Sequence, residues 1–164
     1  MSRRHGNRCS PCKPARHCPP SPPPVCTPCA RAYDDAFIRS IFAAVDALDA
    51  AAFAAFFAVN GVEDLITIAV LSNGRAAIEA DNASFFSGLQ SAQSDVLSIT
   101  RLVDDCNVIV AVELNFTFVG NGTGFIPDGT EVFGNHTVYL TINPSCEITL
   151  YQDFVRFERT TPPT

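Results

Sequence analysis

Two residues late in the chain combine the right side-chain type with a placement suited to proton transfer. His136 alternates in step with Val132, Val138 and Leu140, and Asp153 with Tyr151, Val155 and Phe157. Residues two apart on a strand share a face, so an imidazole and a carboxyl are each expected on an apolar face. An acid and a base held together there could act as a general acid–base pair. A lone histidine among apolar neighbours is more often simply a hydrogen-bonded core residue. The cysteines form a second group. Cys9-x2-Cys12 and Cys26-x2-Cys29 have spacing close to that of zinc modules, with Cys18 between them. Both pairs read Cys-x-Pro-Cys, and proline removes a backbone N–H that would support a metal-bound thiolate. Disulfides are therefore favoured, zinc and free thiols remaining as alternatives, and no metal site is expected. Cys106 and Cys146 fall at turns on one end of a strand meander and could bridge. The total of seven is odd, so in an oxidising setting one thiol pairs between chains or stays free.

Four Asn-x-Ser/Thr sequons start at Asn82, Asn115, Asn121 and Asn135, while Asn143 is followed by proline and is excluded. They make N-linked glycans an expectation for the chain.

Charge is divided sharply along the 164 residues. Residues 1–31 carry +6 with no acid, the remainder carries −12, and the whole carries −6. The basic stretch has no aromatic side chain for base stacking and the body is acidic, so nucleic-acid binding is excluded. No run of 18 apolar residues predicts a membrane span. The first residues, MSRRHGNRCSPC, have charge but no apolar segment after it, unlike a secretory signal.

The elements that must position these groups can be read from periodicity. Residues 1–31 hold eight of the 12 prolines and almost no large apolar side chain, which predicts an extended, polyproline-like irregular arm. Residues 32–160 read as one α+β domain, and 161–164 as a short tail. A helix is expected over Tyr33–Leu48, with Phe37, Ile38, Ile41, Phe42, Val45 and Leu48 as its stripe. Asp49 caps a second helix carrying Phe53, Phe56 and Phe57, closed by Asn60-Gly61. A strand over Glu63–Leu71 and a helix over Arg75–Gln90 follow. Long strands are expected at about 95–103, 106–119, 130–142 and 147–158. The clearest is Asn107–Val119, where Val108, Val110, Val112, Leu114, Phe116 and Phe118 share one side.

The segments VDALDAAAFAAFFAVNGVEDLI, NGRAAIEADNASFF and CEITLYQDF, in that order, resemble the nuclear transport factor two-like superfamily over about 33–158. That superfamily includes SnoaL-like polyketide cyclases, ketosteroid isomerases and limonene epoxide hydrolases. The resemblance implies a cone: a strongly bent antiparallel sheet wrapped on three helices, with a pocket in its mouth. It implies that Asp64, in GVEDLI, stands where ketosteroid isomerases keep their general base. It also implies that Asp153, in YQDF, stands where SnoaL-like enzymes carry an acid on the last strand. The positions matching the isomerases' oxyanion donors are Ile41 and about Val138, which cannot donate, and this departure counts against isomerase activity.

Two functions follow as expectations. The first is a structural, self-assembling subunit, an oligomer or filament, extracellular or at a cell or particle surface. Its Cys/Pro arm would link neighbouring copies, spanning roughly 80 Å at polyproline rise, and its sheet face at Ile109, Ala111 and Glu113 would meet a second copy. The arm's Ser-Pro-Pro-Pro resembles the O-glycosylated extensin-type motifs of plant and algal walls, so O-linked glycans are expected beside the N-linked ones. The alternative is a cofactor-free SnoaL-like lyase, isomerase, cyclase or hydrolase acting on a small apolar substrate through Asp64, His136 and Asp153.

Overall fold

A computed structural model describes residues 34–102, 107–119 and 129–161. The Cys/Pro arm with Cys9, Cys12, Cys18, Cys26 and Cys29, and also Cys106, the Asn121 sequon and residues 162–164, lie outside the described residues. Cys146 is disulfide-bonded.

Helix α1 (Asp35–Asp46) starts where the Asp34 carboxylate accepts the Ala36 N–H at 2.9 Å. Helix α2 (Ala50–Ala54) starts the same way, with Asp49 accepting from Ala52. Each such cap satisfies an N–H that the first turn would leave unpaired, and contributes about 1 kcal/mol. Ile38, Ile41, Phe42 and Val45 of α1 and Phe53 of α2 are buried against the sheet.

The chain turns into a strand earlier than expected. β1 runs Phe57–Leu65, so Phe57 belongs to the sheet and Asn60-Gly61 lies inside a strand rather than closing a helix. A Cβ at Gly61 would sit 2.8 Å from the Ile148 carbonyl oxygen, so only glycine permits this approach of two backbones. Pairing shifts register between Phe57 and Val62. A 3-10 turn (Ile66–Ile68) leads to β2 (Val70–Asn73), and Gly74, at φ 87°, opens α3 (Arg75–Phe86). Then come β3 (Leu89–Leu102), β4 (Asn107–Phe118), β5 (Glu131–Ile142) and β6 (Ile148–Thr161).

The six strands form one sheet in the order β2-β1-β6-β5-β4-β3. β3 to β6 make the expected antiparallel meander, but β1 joins the free edge of β6 in parallel. The sheet is therefore mixed rather than antiparallel: the strand from the helical half docks beside the last strand, running the same way. Register shifts in β3/β4 and β5/β6 interrupt the ladders, the kind of irregularity that bends long strands. The concave face and the helices enclose the core. Val108, Val110, Val112, Leu114 and Phe118 of β4 are buried on one face, as the alternation predicts. The fold is α+β with a curved sheet over helices.

Candidate active site

Register brings the candidate groups together. Glu63 on β1 pairs with Tyr151 on β6, and Leu65 with Asp153, so Glu63 and Asp153 are diagonal neighbours on one face. On the other flank of β6, Val138 pairs with Asp153 and His136 with Val155, which makes His136 a diagonal neighbour of Asp153 as well. All four side chains line one cavity of about 360 Å³. Its walls are largely apolar, built from Val45 of α1, Phe53 of α2, Phe85 and Phe86 of α3 and the inward residues of β4.

His136 and Asp153 are each 8% exposed, and His136 Nδ1 lies 2.8 Å from Asp153 Oδ2. With the carboxylate accepting, Nδ1 is the donor nitrogen and Nε2 is the one turned away from Asp153. A Cβ at Gly134 would come within 3.2 Å of His136 Nε2 and 2.9 Å of Val155 Cγ2, so the missing side chain leaves room beside that nitrogen. Asp153 Oδ1 is buried and has no hydrogen-bond partner among the described residues.

Glu63 is 3% exposed. Asn82 Nδ2 donates to its Oε2 at 2.8 Å and to the Ile78 carbonyl at 2.9 Å. Burial in the apolar wall raises the Glu63 carboxyl from 4.5 to about 7. The Asn82 hydrogen bond pulls it down, and the carboxylates of Asp81 and Asp153 add to the rise. Tyr151, packed edge-on to Phe53 at 5.7 Å, is raised well above the usual phenol range by burial first and then by Asp153 and Glu63. Near neutral pH the cavity thus holds a phenol O–H and a carboxyl that can keep its proton, beside an imidazole–carboxylate pair.

Of the three residues singled out from sequence, the fold brings His136 and Asp153 together and leaves Asp64 apart. Asp64 is half-buried on the opposite face of β1, where Gln152 Nε2 donates to its Oδ2 at 3.2 Å. The register shift before Val62 sets which face each residue takes, and Glu63 is the residue turned into the cavity. Glu63 and Tyr151 are site residues that the sequence reading does not single out, and Asn82, read there only as a sequon, also lines the cavity. The alternation that marked Asp153 also contained Tyr151, and Gly61 was the available signal of a disturbed strand. Ile41 and Val138 are core residues, fully buried.

Of the sequon asparagines, Asn82 spends its amide on Glu63 and the Ile78 carbonyl, and Asn115 Oδ1 is buried. Asn135 donates to Glu158 Oε1 at 3.1 Å at the surface. Among the described residues no cluster of three or more His, Cys, Asp or Glu could hold a metal ion.

No family model matches the sequence, and no curated protein matches it. Solved structures do match the fold. The epoxide hydrolase/cyclase-like enzyme SalBIII, described for pyran ring formation in polyether salinomycin, is 20% identical with a TM-score of 0.62, over 74% of this chain and 88% of that one. A ketosteroid isomerase-like protein from Catenulispora acidiphila DSM 44928, in complex with trimethylamine, is 18% identical with a TM-score of 0.61, over 72% and 83%. An LEH-like epoxide hydrolase of M. tuberculosis is 11% identical with a TM-score of 0.59, over 74% and 80%. These neighbours are described as enzymes or by an enzyme's fold, not as filament subunits or glycoproteins, and they overturn the expectation of a structural, self-assembling, glycosylated subunit. The chain has the cone fold of the SnoaL-like and ketosteroid isomerase-like proteins.

Proposed function

We propose that this protein is an acid–base enzyme acting on a small, uncharged, largely apolar carbonyl compound, of the isomerase, cyclase or lyase type. The observation that carries this reading is Glu63: a carboxyl raised to about 7 in an apolar wall, sharing one cavity with the His136–Asp153 pair. Two titratable centres with different environments in one cavity are the usual arrangement for separate acid and base roles.

The chemistry follows from the geometry. Asp153 holds the imidazole with its proton on Nδ1, so Nε2 can take a proton from the carbon next to a carbonyl. Charge then develops on the carbonyl oxygen. The neutral Glu63 carboxyl and the Tyr151 hydroxyl are donors for that oxygen, and such donors stabilise a transition state most in a site that excludes water. The proton then leaves Nε2 for carbon at a new position, or, where the enol carbon has closed a ring on a second carbonyl, for the alkoxide oxygen that the new carbon–carbon bond leaves on that carbonyl. These transfers draw on the chain's own side chains. Among the described residues the cavity lining contains no Lys or Arg and two carboxyl residues, so an anionic substrate is disfavoured.

The test is hydrogen exchange at carbon. The full chain is incubated in deuterium oxide with a panel of small methyl ketones and 1,3-diketones, and loss of the α-proton signal is followed by NMR. Exchange above the buffer rate is expected for at least one apolar member, reduced by Asp153→Asn and Glu63→Gln. No exchange with any member would overturn the carbonyl reading, and turnover of small epoxides by the same side chains would move the chemistry to epoxide opening.

A further inference from the structure

Glu63 has a second set of neighbours outside the cavity. Its neighbour across the β1–β2 ladder is Ser72, paired with it directly and only 2% exposed. The Ser72 hydroxyl donates to Asp81 Oδ2 at 2.6 Å. Asp81 and Asn82 are consecutive on α3, and Asn82 is the residue that donates to Glu63. One turn of α3 is thus tied to β2 through Asp81 and to β1 through Asn82. Neither Ser72 nor Asp81 lines the cavity.

We propose that Ser72 and Asp81 form an outer positioning pair for Glu63, which fixes α3 so that Asn82 meets the Glu63 carboxyl and holds a second carboxylate on Ser72, the cross-strand neighbour of Glu63. The proposal rests on the reading of Glu63 as the proton-holding acid of the site. Its two parts oppose each other in a useful way. The Asn82 hydrogen bond orients the carboxyl but favours its ionised form, because an acceptor oxygen is stronger when charged. A carboxylate nearby disfavours ionisation through like-charge repulsion. Asp81 is the larger of the two carboxylate influences that raise Glu63, ahead of Asp153. The groups facing Glu63 are Asp81 and Asn82 from α3, Ser72 from β2, Tyr151 and Asp153 from β6, and His136 from β5 across the cavity. Asp81 is the charged one at the solvent edge, where it can be changed without touching the cavity.

The pair can be separated into charge and geometry. Asp81→Asn keeps an oxygen that accepts the Ser72 hydroxyl and removes the charge. Ser72→Ala removes the hydrogen bond and keeps the charge. The readout is the carbon-13 titration of the Glu63 carboxyl in the full chain, assigned by its loss in Glu63→Gln, with thermal melting alongside. Asp81→Asn is expected to move the midpoint from about 7 toward 4.5, by at least about half a pH unit, with melting little changed. Exchange activity at pH 7 would then fall roughly twofold and recover at lower pH. Ser72→Ala is expected to lower activity while the Glu63 midpoint moves less than in Asp81→Asn. A midpoint that stays near 7 in Asp81→Asn would overturn the outer pair and leave the reading of Glu63 intact. A wild-type midpoint near 4.5 would overturn both. A lower melting temperature with no change in midpoint or activity in either variant would reduce the pair to a structural contact.

Discussion

Glu63 has a consequence for stability as well as for chemistry. Its carboxyl titrates at about 7 in the folded chain against 4.5 as the ordinary value, so the folded state holds this proton more tightly than the unfolded state. Its favourable contribution is therefore complete below pH 4.5, declines as pH rises, and is lost above about 7. The full swing is on the order of 3 kcal/mol. Glu63→Gln keeps an oxygen for Asn82 and has no proton to lose. Denaturant unfolding of wild type should show stability falling between pH 4.5 and 7, and the variant should lack that component. Activity should follow the same group: if the neutral acid is the working form, kcat/KM declines above pH 7, and Glu63→Gln lowers it by about 10²- to 10⁴-fold. Equal pH slopes in the two proteins would remove Glu63 from this role. Gly134 is the other position where one atom decides the outcome. A methyl there meets His136 Nε2 at 3.2 Å and Val155 Cγ2 at 2.9 Å. Gly134→Ala should lower kcat/KM at least tenfold through the blocked base, and overpacking should cost about 1–3 kcal/mol. The Glu63 titration midpoint should stay in place, because the change is confined to the β5 side of the cavity.

At the level of elements, α2 does more than cover the sheet. Phe53 is buried, edge-on to Phe57 at 5.3 Å and to Tyr151 at 5.7 Å, and lines the cavity. Phe53→Ala should destabilise the fold by about 3–5 kcal/mol. It should also raise KM for small substrates more than it lowers kcat, since the proton-transfer groups stay on β1, β5 and β6. A loss confined to kcat would mean that Phe53 orients Tyr151 rather than shaping the cavity. Much of this architecture could be read from sequence. The β4 alternation from Val108 to Phe118, the α1 stripe and the Asp49 cap are short-range signals, written in residue type and period. His136 and Asp153 came from the same source, because each lies within an unbroken strand. Glu63 did not. Its orientation depends on the register shift between Phe57 and Val62, forced where β6 approaches Gly61. That contact joins residues some 87 positions apart, and a two-residue period counted from Glu63 alone cannot find it. The parallel β1–β6 pairing was hidden for the same reason: edge choice is decided by tertiary packing, not by any local run. The contact of Asn82 with Glu63 is hidden as well, because an Asn-x-Ser triplet says nothing about where the amide is spent.

The electrostatics of the whole chain reinforce what the cavity selects. The chain carries −6 overall, and among the described residues the cavity lining has Glu63 and Asp153 with no Lys or Arg. An anionic substrate would meet a repulsive field on approach and carboxyl groups after entry, whereas a neutral ketone meets neither penalty. These two barriers respond differently to salt. The approach field acts through water and is screened within a Debye length, about 10 Å at 0.1 M ionic strength. The cavity carboxyls act at short range in a water-poor site, where screening is weak. For a matched pair of substrates, a neutral methyl ketone and the same skeleton bearing a distal carboxylate, the neutral compound should be favoured by at least about tenfold in kcat/KM. Raising ionic strength from about 0.02 to 0.5 M should reduce that preference without abolishing it. Asp153→Asn would be uninformative here because it disables the base, so the variant of choice is Glu63→Gln, read through binding of the two compounds rather than turnover. It should narrow the preference at pH 8, where Glu63 is charged, and leave it nearly unchanged at pH 5.5, where the acid is already neutral. A preference that disappears completely in high salt would place the discrimination on the outer surface and take it away from the cavity.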